Sequence, residues 1–444
     1  MVVIEMSEII LNDQQSEAAS LIETWYKRNN FSSKQIFVLA GYAGTGKTTL
    51  INYVIKKILK LKSYEVMYAT PTGKAANVLI QKKCPATTIH RLIYTPVEVE
   101  KETTVNGKKI KTKIVEFVKK RSLGYAKLIV LDEISMISEK MMQDILSFGR
   151  PILACGDIGQ LPAVAAKGHD LLKDPDYTLT EIVRQSEDNP IIKIATKARK
   201  GEEIPFGIYD NTVAVISENE LTDEMRKQLL TKADQVICGK NSTRIALNKE
   251  IRKYLNIDSE YPIKGDKIIC NENNYDINLD QEGQYNLVNG CIGYINNFEI
   301  VDPSKSLAKI DFTADFVNDF VTKNVLIDSY IFRHNEYLYD KQQYVYIMED
   351  GSYILKKDIK KEYGETFEQY RLRLSNELKN KRRAVHVKLI NQFEFGYAIS
   401  CHKSQGSEFD IVVVFDESKA FRGQEKKWLY TAITRAKKKL FIIR

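Results

Sequence analysis

The chain has 444 residues, 43% of them hydrophobic, and a formal net charge of +8, so it is long enough for about three domains. The charge favours a polyanionic partner, although many basic proteins bind none. Residues 1–10 carry two Glu among short apolar runs, and no run of about 18 apolar residues occurs. We therefore expect neither a membrane span nor a secretory signal, and a location in the cytoplasm, or in the host cytoplasm for a viral protein. Six singly placed cysteines exclude the close pairs of zinc sites and redox motifs.

Early in the chain, a predicted strand, a glycine-rich turn and a predicted helix follow one another directly. Residues 36–40 are an uninterrupted apolar run, as in a buried parallel strand, and Leu50, Val54 and Ile58 recur every four residues like one face of a helix. The turn between them matches Gly-x-x-x-x-Gly-Lys-[Ser/Thr] in full. Its backbone N–H groups and the helix dipole would converge on an anion, which predicts a triphosphate site. The residues assigned to this site are Gly41, Ala43, Gly44, Thr45, Gly46, Lys47, Thr48 and Thr49.

Two side chains of this turn have specific predicted tasks. Lys47 brings a positive charge to the outer phosphates, and the hydroxyl of Thr48 joins the coordination of Mg²⁺. A chance glycine-rich turn is the alternative, but the flanking strand and helix are separate requirements and both are met.

The region from residue 94 to 127 has the pattern of a β-hairpin inserted between two core strands. Asn106-Gly107 is a strong two-residue turn signal between its two limbs. The return limb is rich in Lys, and a solvated basic edge that merely blocks strand addition explains this equally well.

Two acids follow the next buried strand. Residues 128–131 are apolar and end in Asp132 and Glu133, and ligands bind at the carboxyl ends of strands in open parallel sheets. One acid can hold Mg²⁺ through water, and the other can take a proton from an attacking water. Gln160 follows the strand at 152–155, where a glutamine can sense a γ-phosphate.

Taken in order, these segments resemble the motif set of superfamily 1 helicases, most closely the RecD-like and phage Dda-like branch that moves 5′ to 3′. The likeness spans nearly the whole chain, with a weak middle from residue 296 to 392. The segments that carry it are residues 41–49, 69–79, 87–92, 132–133, 156–162, Arg184, 400–408 and 430–436.

The resemblance implies roles for residues of the first domain. Gln15 matches the glutamine that reads adenine. Lys47 and Thr48 match the phosphate and Mg²⁺ residues. Asp132 matches the metal carboxylate and Glu133 the catalytic base.

It implies further roles for residues beyond that group. Gln160 matches the γ-phosphate sensor, and Arg184 and Arg435 match two arginines that reach into the site from the second domain. Glu408 matches an acidic residue near the nucleotide sugar. The segments that resemble those lining the single-strand path contain Thr72, Lys74, His90, Ser400 and His402.

The fold class implied is α/β, with two RecA-like P-loop NTPase domains. A β-hairpin is inserted in the first domain, and a small SH3-like β-module is inserted in the second. The expected boundaries are residues 1–93 and 128–176 for domain 1A, 94–127 for hairpin 1B as a pin or wedge, 177–293 and 393–444 for domain 2A, and 294–392 for domain 2B.

The function implied is an ATP-dependent DNA helicase or translocase that uses ATP and Mg²⁺ and moves along single-stranded DNA, with a 5′-to-3′ direction. The expected partners are single-stranded DNA, junctions of single and double strand, and single-strand-binding or other replication and repair proteins. We expect a monomer. A nucleic-acid-stimulated ATPase that acts as a switch or clamp without unwinding stays open, as does a P-loop kinase with a lid and an acceptor pocket in place of a second α/β domain.

Overall fold

The structure is a computed structural model that describes residues 10–28, 33–105, 108–162, 171–182, 189–317, 319–341, 343–348, 352–355 and 384–444. The chain forms two compact units: the first contains residues up to 241 and from 399 onward, and the second contains Ser242–Ala398. No helix in these ranges combines the length and apolar character that a membrane crossing needs.

The first unit contains a six-stranded sheet in the order β3-β2-β6-β7-β1-β8, and every neighbouring pair is parallel. Its strands are β1 (Ile36–Gly41), β2 (Val66–Thr70), β3 (Ala86–Thr88), β6 (Leu128–Leu131), β7 (Ile152–Gly156) and β8 (Tyr177–Leu179). All residues of β6 and β7 are buried. A parallel sheet covered on both faces requires such continuous apolar strands, which is why sequence alone predicts them.

Five helices lie in the same part of the described chain. They are α1 (Asp13–Lys27), α2 (Lys47–Tyr53), α3 (Gly73–Gln81), α4 (Ile89–Ile93) and α5 (Glu139–Leu146). Helix α2 continues as a π-helical turn, Val54–Ile58, and Leu50 and Val54 are fully buried, as their spacing predicts. Asn12 caps α1 and forms a capping box with Gln15, which fixes the start of that helix.

Strands β4 (Tyr94–Val105) and β5 (Lys108–Lys119) form a separate two-stranded antiparallel sheet. Their register runs without a shift from Tyr94 opposite Lys119 to Val105 opposite Lys108. The predicted turn residues Asn106 and Gly107 lie outside the described residues.

The first unit also contains a second six-stranded sheet, in the order β22-β11-β23-β24-β10-β9. Its strands are β9 (Gly207–Tyr209), β10 (Val213–Ile216), β11 (Gln235–Cys238), β22 (Ala398–Ser400), β23 (Phe409–Phe415) and β24 (Ala436–Ile443). The accompanying helices are α6 (Pro190–Lys200), α7 (Asp223–Lys232), α10 (Cys401–Ser404) and α11 (Glu425–Ile433). The neighbours β11, β23, β24 and β10 run parallel, and Trp428 of α11 is fully buried in the core beside them.

The second unit is mainly antiparallel. A five-stranded sheet has the order β17-β16-β15-β12-β21, and smaller sheets join β13 with β14 and β19-β18-β20. The strands are β12 (Lys267–Cys270), β13 (Asn274–Asn278), β14 (Asn286–Leu287), β15 (Ile292–Asp302), β16 (Leu307–Ala314), β17 (Thr322–Asp328), β18 (Tyr344–Met348), β19 (Tyr353–Leu355), β20 (Ala384–Leu389) and β21 (Phe393–Phe395). The helices are α8 (Asn241–Tyr254), which enters this unit, and α9 (Tyr330–His334). Phe312 and Phe393 are fully buried and their rings pack 5.4 Å apart, edge to face.

The structure corrects two expected domain boundaries. The boundary after residue 176 is wrong, because β8 pairs in parallel with β1 and so belongs to the first sheet. The limits 294–392 for the inserted module are also wrong, because β12 and β21 lie outside them and yet pair in one sheet with β15. The compact second unit spans Ser242–Ala398 instead. Its description as SH3-like stays a prediction.

Candidate active site

The predicted phosphate loop connects β1 to α2, as its sequence requires. Gly44 and Gly46 have φ angles of 82° and 77°, a left-handed conformation that glycine adopts without the steric cost other residues incur. The Thr45 hydroxyl donates to the Tyr42 carbonyl at 2.9 Å. Lys47 Nζ donates to the Gly41 and Tyr42 carbonyls at 3.0 and 2.9 Å. The lysine therefore lies over its own loop, at the place where a polyphosphate would be held.

Gln15 lies against this loop. Its Nε2 donates to the Thr45 carbonyl at 3.2 Å, and its Oε1 accepts from the Asn12 N–H at 3.3 Å. Gln15 is 4% exposed. Its amide thus joins the start of α1 to the phosphate loop, and its role in reading adenine stays a prediction.

Asp132 and Glu133 follow β6 directly. One oxygen of Asp132, Oδ1, accepts from the Glu133 N–H at 2.9 Å and from the Cys155 thiol at 3.1 Å. Burial raises the pKa of the Cys155 thiol, so the thiol stays protonated and continues to donate. The hydroxyl of Thr48 and the second oxygen of Asp132 are hard oxygen donors of the kind Mg²⁺ prefers. This donor set fits the metal.

Glu133 has two unusual features. Its φ angle is 55°, a left-handed backbone that is uncommon outside glycine and that persists where the surrounding structure holds it. Burial, and then the charge of Asp132, raise the pKa of its carboxyl to about 7, while the charges of Arg435 and Lys47 act in the opposite direction. Groups from both sheets of the first unit therefore act on this one carboxyl.

Arg435 lies between α11 and β24 and is 4% exposed. Its Nε donates to the Thr431 carbonyl at 3.1 Å, Nη1 to the Ser407 carbonyl at 3.0 Å, and Nη2 to the Thr434 hydroxyl at 3.0 Å. These bonds orient the guanidinium while its charge acts on Glu133.

The loop after β7 contacts α11 of the second sheet through several hydrogen bonds. The Tyr430 hydroxyl donates to Asp157 Oδ2 at 3.0 Å and accepts from the Ala43 N–H of the phosphate loop at 2.9 Å. The Leu161 N–H donates to the Thr431 hydroxyl at 2.9 Å. Loops that follow strands of the first sheet are therefore in direct contact with α11 at the predicted site.

Gln160 lies at this contact and is 6% exposed. Its Nε2 donates to Asp157 Oδ2 at 3.2 Å. Its Oε1 is shielded from water and, among the residues that the structure describes, has no hydrogen-bond partner. A buried acceptor without a partner is costly, which fits a group that receives a hydrogen bond from a ligand or a water.

One predicted site residue, Arg184, lies outside the described residues, and its role stays a prediction. Glu408 is exposed just before β23, and none of the contacts found within the described ranges joins it to the phosphate loop.

Two predicted single-strand contacts have hydroxyls that cap helices. Thr72 Oγ1 accepts from the Ala75 N–H at 3.3 Å at the start of α3, and Ser400 Oγ accepts from the Lys403 N–H at 3.4 Å at the start of α10. Each hydroxyl keeps its proton as a donor, so a phosphate contact is compatible with both caps.

The remaining three predicted contacts differ in exposure. His90 is exposed, with its ring 5.0 Å from that of Tyr94. Burial lowers the pKa of His402, which therefore stays neutral near pH 7. The Lys74 ammonium is shielded from water and lies 5.6 Å from the centre of the Phe409 ring. In this conformation the Lys74 ammonium is covered, and its contact with a single strand stays a prediction.

Sequence reasoning missed the roles of Asp157 and Tyr430 at this contact. Asp157 follows a buried strand directly, and that position alone could have marked it. Tyr430 opens the segment that contains Arg435, but nothing local indicates that its hydroxyl reaches a loop 387 residues away.

Comparison with known proteins agrees with this geometry. An AAA domain family model matches residues 11–220, and a UvrD-like helicase C-terminal domain model matches residues 395–443. Both models and the relatives below make the chain similar to superfamily 1 helicases of the RecD- and Dda-like branch. The first model covers the phosphate loop and the acids, and the second covers Arg435.

Individual relatives match this chain in part. It is 28% identical over 182 residues to the ATP-dependent DNA helicase Dda of Enterobacteria phage T4, over 38% of this chain and 39% of that protein. It is 30% identical over 190 residues to the ATP-dependent RecD2 DNA helicase of Deinococcus radiodurans, over 40% of this chain and 24% of that protein. The matches thus span less than two fifths of the length of these relatives.

A crystal structure of Bacteroides Pif1 bound to single-stranded DNA is similar in fold. It has a TM-score of 0.50 and 17% identity, and covers 98% of this chain and 92% of the Pif1 chain. At this identity the likeness concerns the fold alone, and it agrees with the predicted pair of RecA-like domains.

Proposed function

We propose that the protein is an ATP-dependent DNA helicase that moves along single-stranded DNA from 5′ to 3′ and separates duplex ahead of it. One observation carries the proposal. The phosphate loop that contains Lys47 is hydrogen-bonded to α11, which lies directly before Arg435, through the Ala43 N–H and the Tyr430 hydroxyl at 2.9 Å. A nucleotide held between Lys47 and Arg435 would bind both sheets together, and its hydrolysis would release them.

The residues of the site suit ATP hydrolysis. Lys47 and the backbone N–H groups of residues 44–48 would hold the phosphates. Mg²⁺, held by Thr48 and Asp132, would neutralise charge on the outer phosphates. Glu133 would take a proton from the attacking water, because a pKa of about 7 suits a general base at neutral pH. Arg435 would stabilise the charge that develops on the transferred phosphoryl group.

A DNA strand bound across both RecA-like domains would couple this cycle to movement. Binding mainly through phosphates would make the affinity nearly independent of sequence and sensitive to salt. The relatives Dda and RecD2 are named ATP-dependent DNA helicases, which supports DNA as the substrate. The hairpin β4–β5 would act as the wedge at the junction.

The decisive experiment is strand separation on partial duplexes that carry either a 5′ or a 3′ overhang, in DNA and RNA forms, with and without ATP. We expect ATP-dependent separation of DNA with a 5′ overhang only. Lys47→Ala should abolish both hydrolysis and separation while the protein stays folded and binds single strands. Hydrolysis stimulated by DNA without separation on any substrate would overturn the helicase proposal and favour a switch or clamp.

A further inference from the structure

One backbone N–H group of the phosphate loop is hydrogen-bonded to α11, the helix that packs beside the second sheet. The N–H of Ala43 donates to the hydroxyl of Tyr430 at 2.9 Å. Ala43 lies in the loop that would hold the phosphates, whereas Tyr430 lies in α11, five residues before Arg435. The same hydroxyl donates to Asp157 Oδ2 at 3.0 Å, so it links the phosphate loop to the loop after β7.

Asp157 extends the connection along the loop after β7. Its Oδ1 accepts from the Gly159 N–H at 2.8 Å, and its Oδ2 accepts from Gln160 Nε2 at 3.2 Å. Asp157 is 2% exposed and Tyr430 is 3% exposed, so water does not replace these partners. Hydrogen bonds in such surroundings are stronger than at the surface, and a lost partner is costly.

The ring of Tyr430 is fixed as closely as its hydroxyl. A Cβ atom added at Gly159 would lie 2.7 Å from the ring, so only glycine at 159 leaves room for it. Burial and the charge of Asp157 raise the pKa of Tyr430, which keeps the hydroxyl protonated and able to donate.

We propose that Tyr430 is a positioning residue that transmits the state of the phosphate loop to the second sheet through Ala43, Asp157 and Gln160. The proposal deepens the function given above and rests on it. A shift of the phosphate loop at Ala43 would move the Tyr430 hydroxyl, which accepts from the Ala43 N–H. Tyr430 lies in α11, and Arg435 follows directly after this helix, so both would move together. Loop position, the Gln160 amide and the guanidinium of Arg435 would therefore change together, and not one by one.

Amide hydrogen exchange tests this connection directly. In the parent protein the Ala43 amide should be protected, and in Tyr430→Phe, which keeps the ring, it should exchange at least tenfold faster. Thr431→Val is the matched control, because Thr431 is the next residue of α11 and its hydroxyl accepts from the Leu161 N–H instead. That variant should speed exchange at Leu161 and leave Ala43 protected.

Transmission is measured with a non-hydrolysable ATP analogue. We expect the analogue to increase protection of residues 425–433 in the parent, and this increase to fall to less than a third in Tyr430→Phe. Gly159→Ala, which displaces the ring, should give the same loss. Unchanged exchange at Ala43 in Tyr430→Phe, or an undiminished increase over residues 425–433, would overturn the proposal.

A DNA-dependent measurement separates this inference from the helicase proposal. The stimulation of hydrolysis by single-stranded DNA should fall at least fivefold in Tyr430→Phe relative to the parent, and less in Thr431→Val. If DNA fails to stimulate the parent, the helicase proposal fails, and the two exchange experiments still decide the role of Tyr430.

Discussion

At the scale of single residues, the site is an arrangement of charges around Glu133. Sequence order is sufficient to predict that Lys47, Asp132 and Glu133 lie at the same edge of the sheet, because each follows a buried strand of one parallel sheet. The hydrogen bond of Tyr430 to Asp157 could not be predicted in that way, because 273 positions separate the two residues. No local pattern specifies which side chains meet when two sheets pack.

The raised pKa of Glu133 predicts a pH dependence of hydrolysis. A general base must be unprotonated, so kcat/KM for ATP should fall as the pH drops below about 7. Steady-state hydrolysis between about pH 5.5 and 9 measures this, and nucleotide binding over the same range serves as the control for loss of affinity. Glu133→Gln should lose about 10²-fold or more above pH 7, and its own rate should no longer fall as the pH drops below 7. A flat profile down to pH 5.5 would contradict the assignment.

The same carboxyl predicts a pH-dependent stability. The folded pKa of Glu133 lies above the ordinary value of 4.5. The folded protein therefore loses stability as the pH rises from 4.5 to about 7, and the loss stays constant above that. Glu133→Gln removes this loss and should be more stable than the parent at pH 8, by at most about 3 kcal/mol, with little difference at pH 5. Denaturant unfolding at the two pH values measures the difference.

Arg435 offers a sharper test of the shared site. Arg435→Ala should reduce the rate of hydrolysis by about 10³-fold or more, as expected for an arginine that stabilises the transferred phosphoryl group. Arg435→Lys keeps the charge but cannot reproduce the three hydrogen bonds to Thr431, Ser407 and Thr434, and should recover only a small part of the rate. Circular dichroism and nucleotide binding check that each variant is folded. Hydrolysis by Arg435→Ala at the parent rate would rule out the shared site.

At the scale of elements, continuous apolar strands are predicted well and short or distant pairings are not. Strands β1, β6 and β7 follow from their runs of apolar residues. Strand β8 has three residues, too few to show which sheet it joins, so the predicted boundary fell in front of it. Strands β12 and β21 lie more than 120 residues apart in the chain, and only the folded structure shows that they pair.

The proposed wedge role of hairpin β4–β5 can be tested by shortening the hairpin. Deletion of residues 100–105 and 108–113 removes six residues from each limb and leaves Val99 opposite Ile114, as in the parent register. An even number keeps each remaining side chain on its original face. If the hairpin is the wedge, strand separation should fall at least tenfold, whereas DNA-stimulated hydrolysis should change less than threefold.

A graded control strengthens the hairpin experiment. Deletion of only residues 104, 105, 108 and 109 should reduce strand separation by an intermediate amount. Equal loss of separation and hydrolysis in both deletions would argue against a wedge.

At the scale of the whole molecule, the chain consists of two compact units, each with its own core. The first contains both six-stranded sheets and the proposed nucleotide site. The second is held in part by Arg252, whose Nε and Nη2 each lie 3.1 Å from an oxygen of Asp266. Both side chains are almost completely buried, with 8% and 0% exposure.

Two compact units predict two unfolding transitions in calorimetry. An ATP analogue should raise only the transition of the first unit, because ligand binding stabilises the unit that binds. Arg252→Ala should lower only the transition temperature of the second unit. It leaves a buried carboxylate unpaired and so reduces that unit's free energy of unfolding by about 3 to 5 kcal/mol. Arg333→Ala is the matched control in the same unit. Its ion pair with Glu260 is exposed and should contribute about 1 kcal/mol or less. A single transition shifted by both changes would contradict independent unfolding.

The side chain of Asn248 ties together the two ends of the second unit. Its Nδ2 donates to the carbonyls of Arg244 and Ala398, and its Oδ1 accepts from the Ala398 N–H. The chain thus enters and leaves the second unit at neighbouring points, because Asn248, which contacts Ala398, lies roughly two helical turns after Ser242. A segment inserted in this way can be lengthened, trimmed or exchanged while the rest of the chain keeps its path, so we expect relatives to diverge most within Ser242–Ala398.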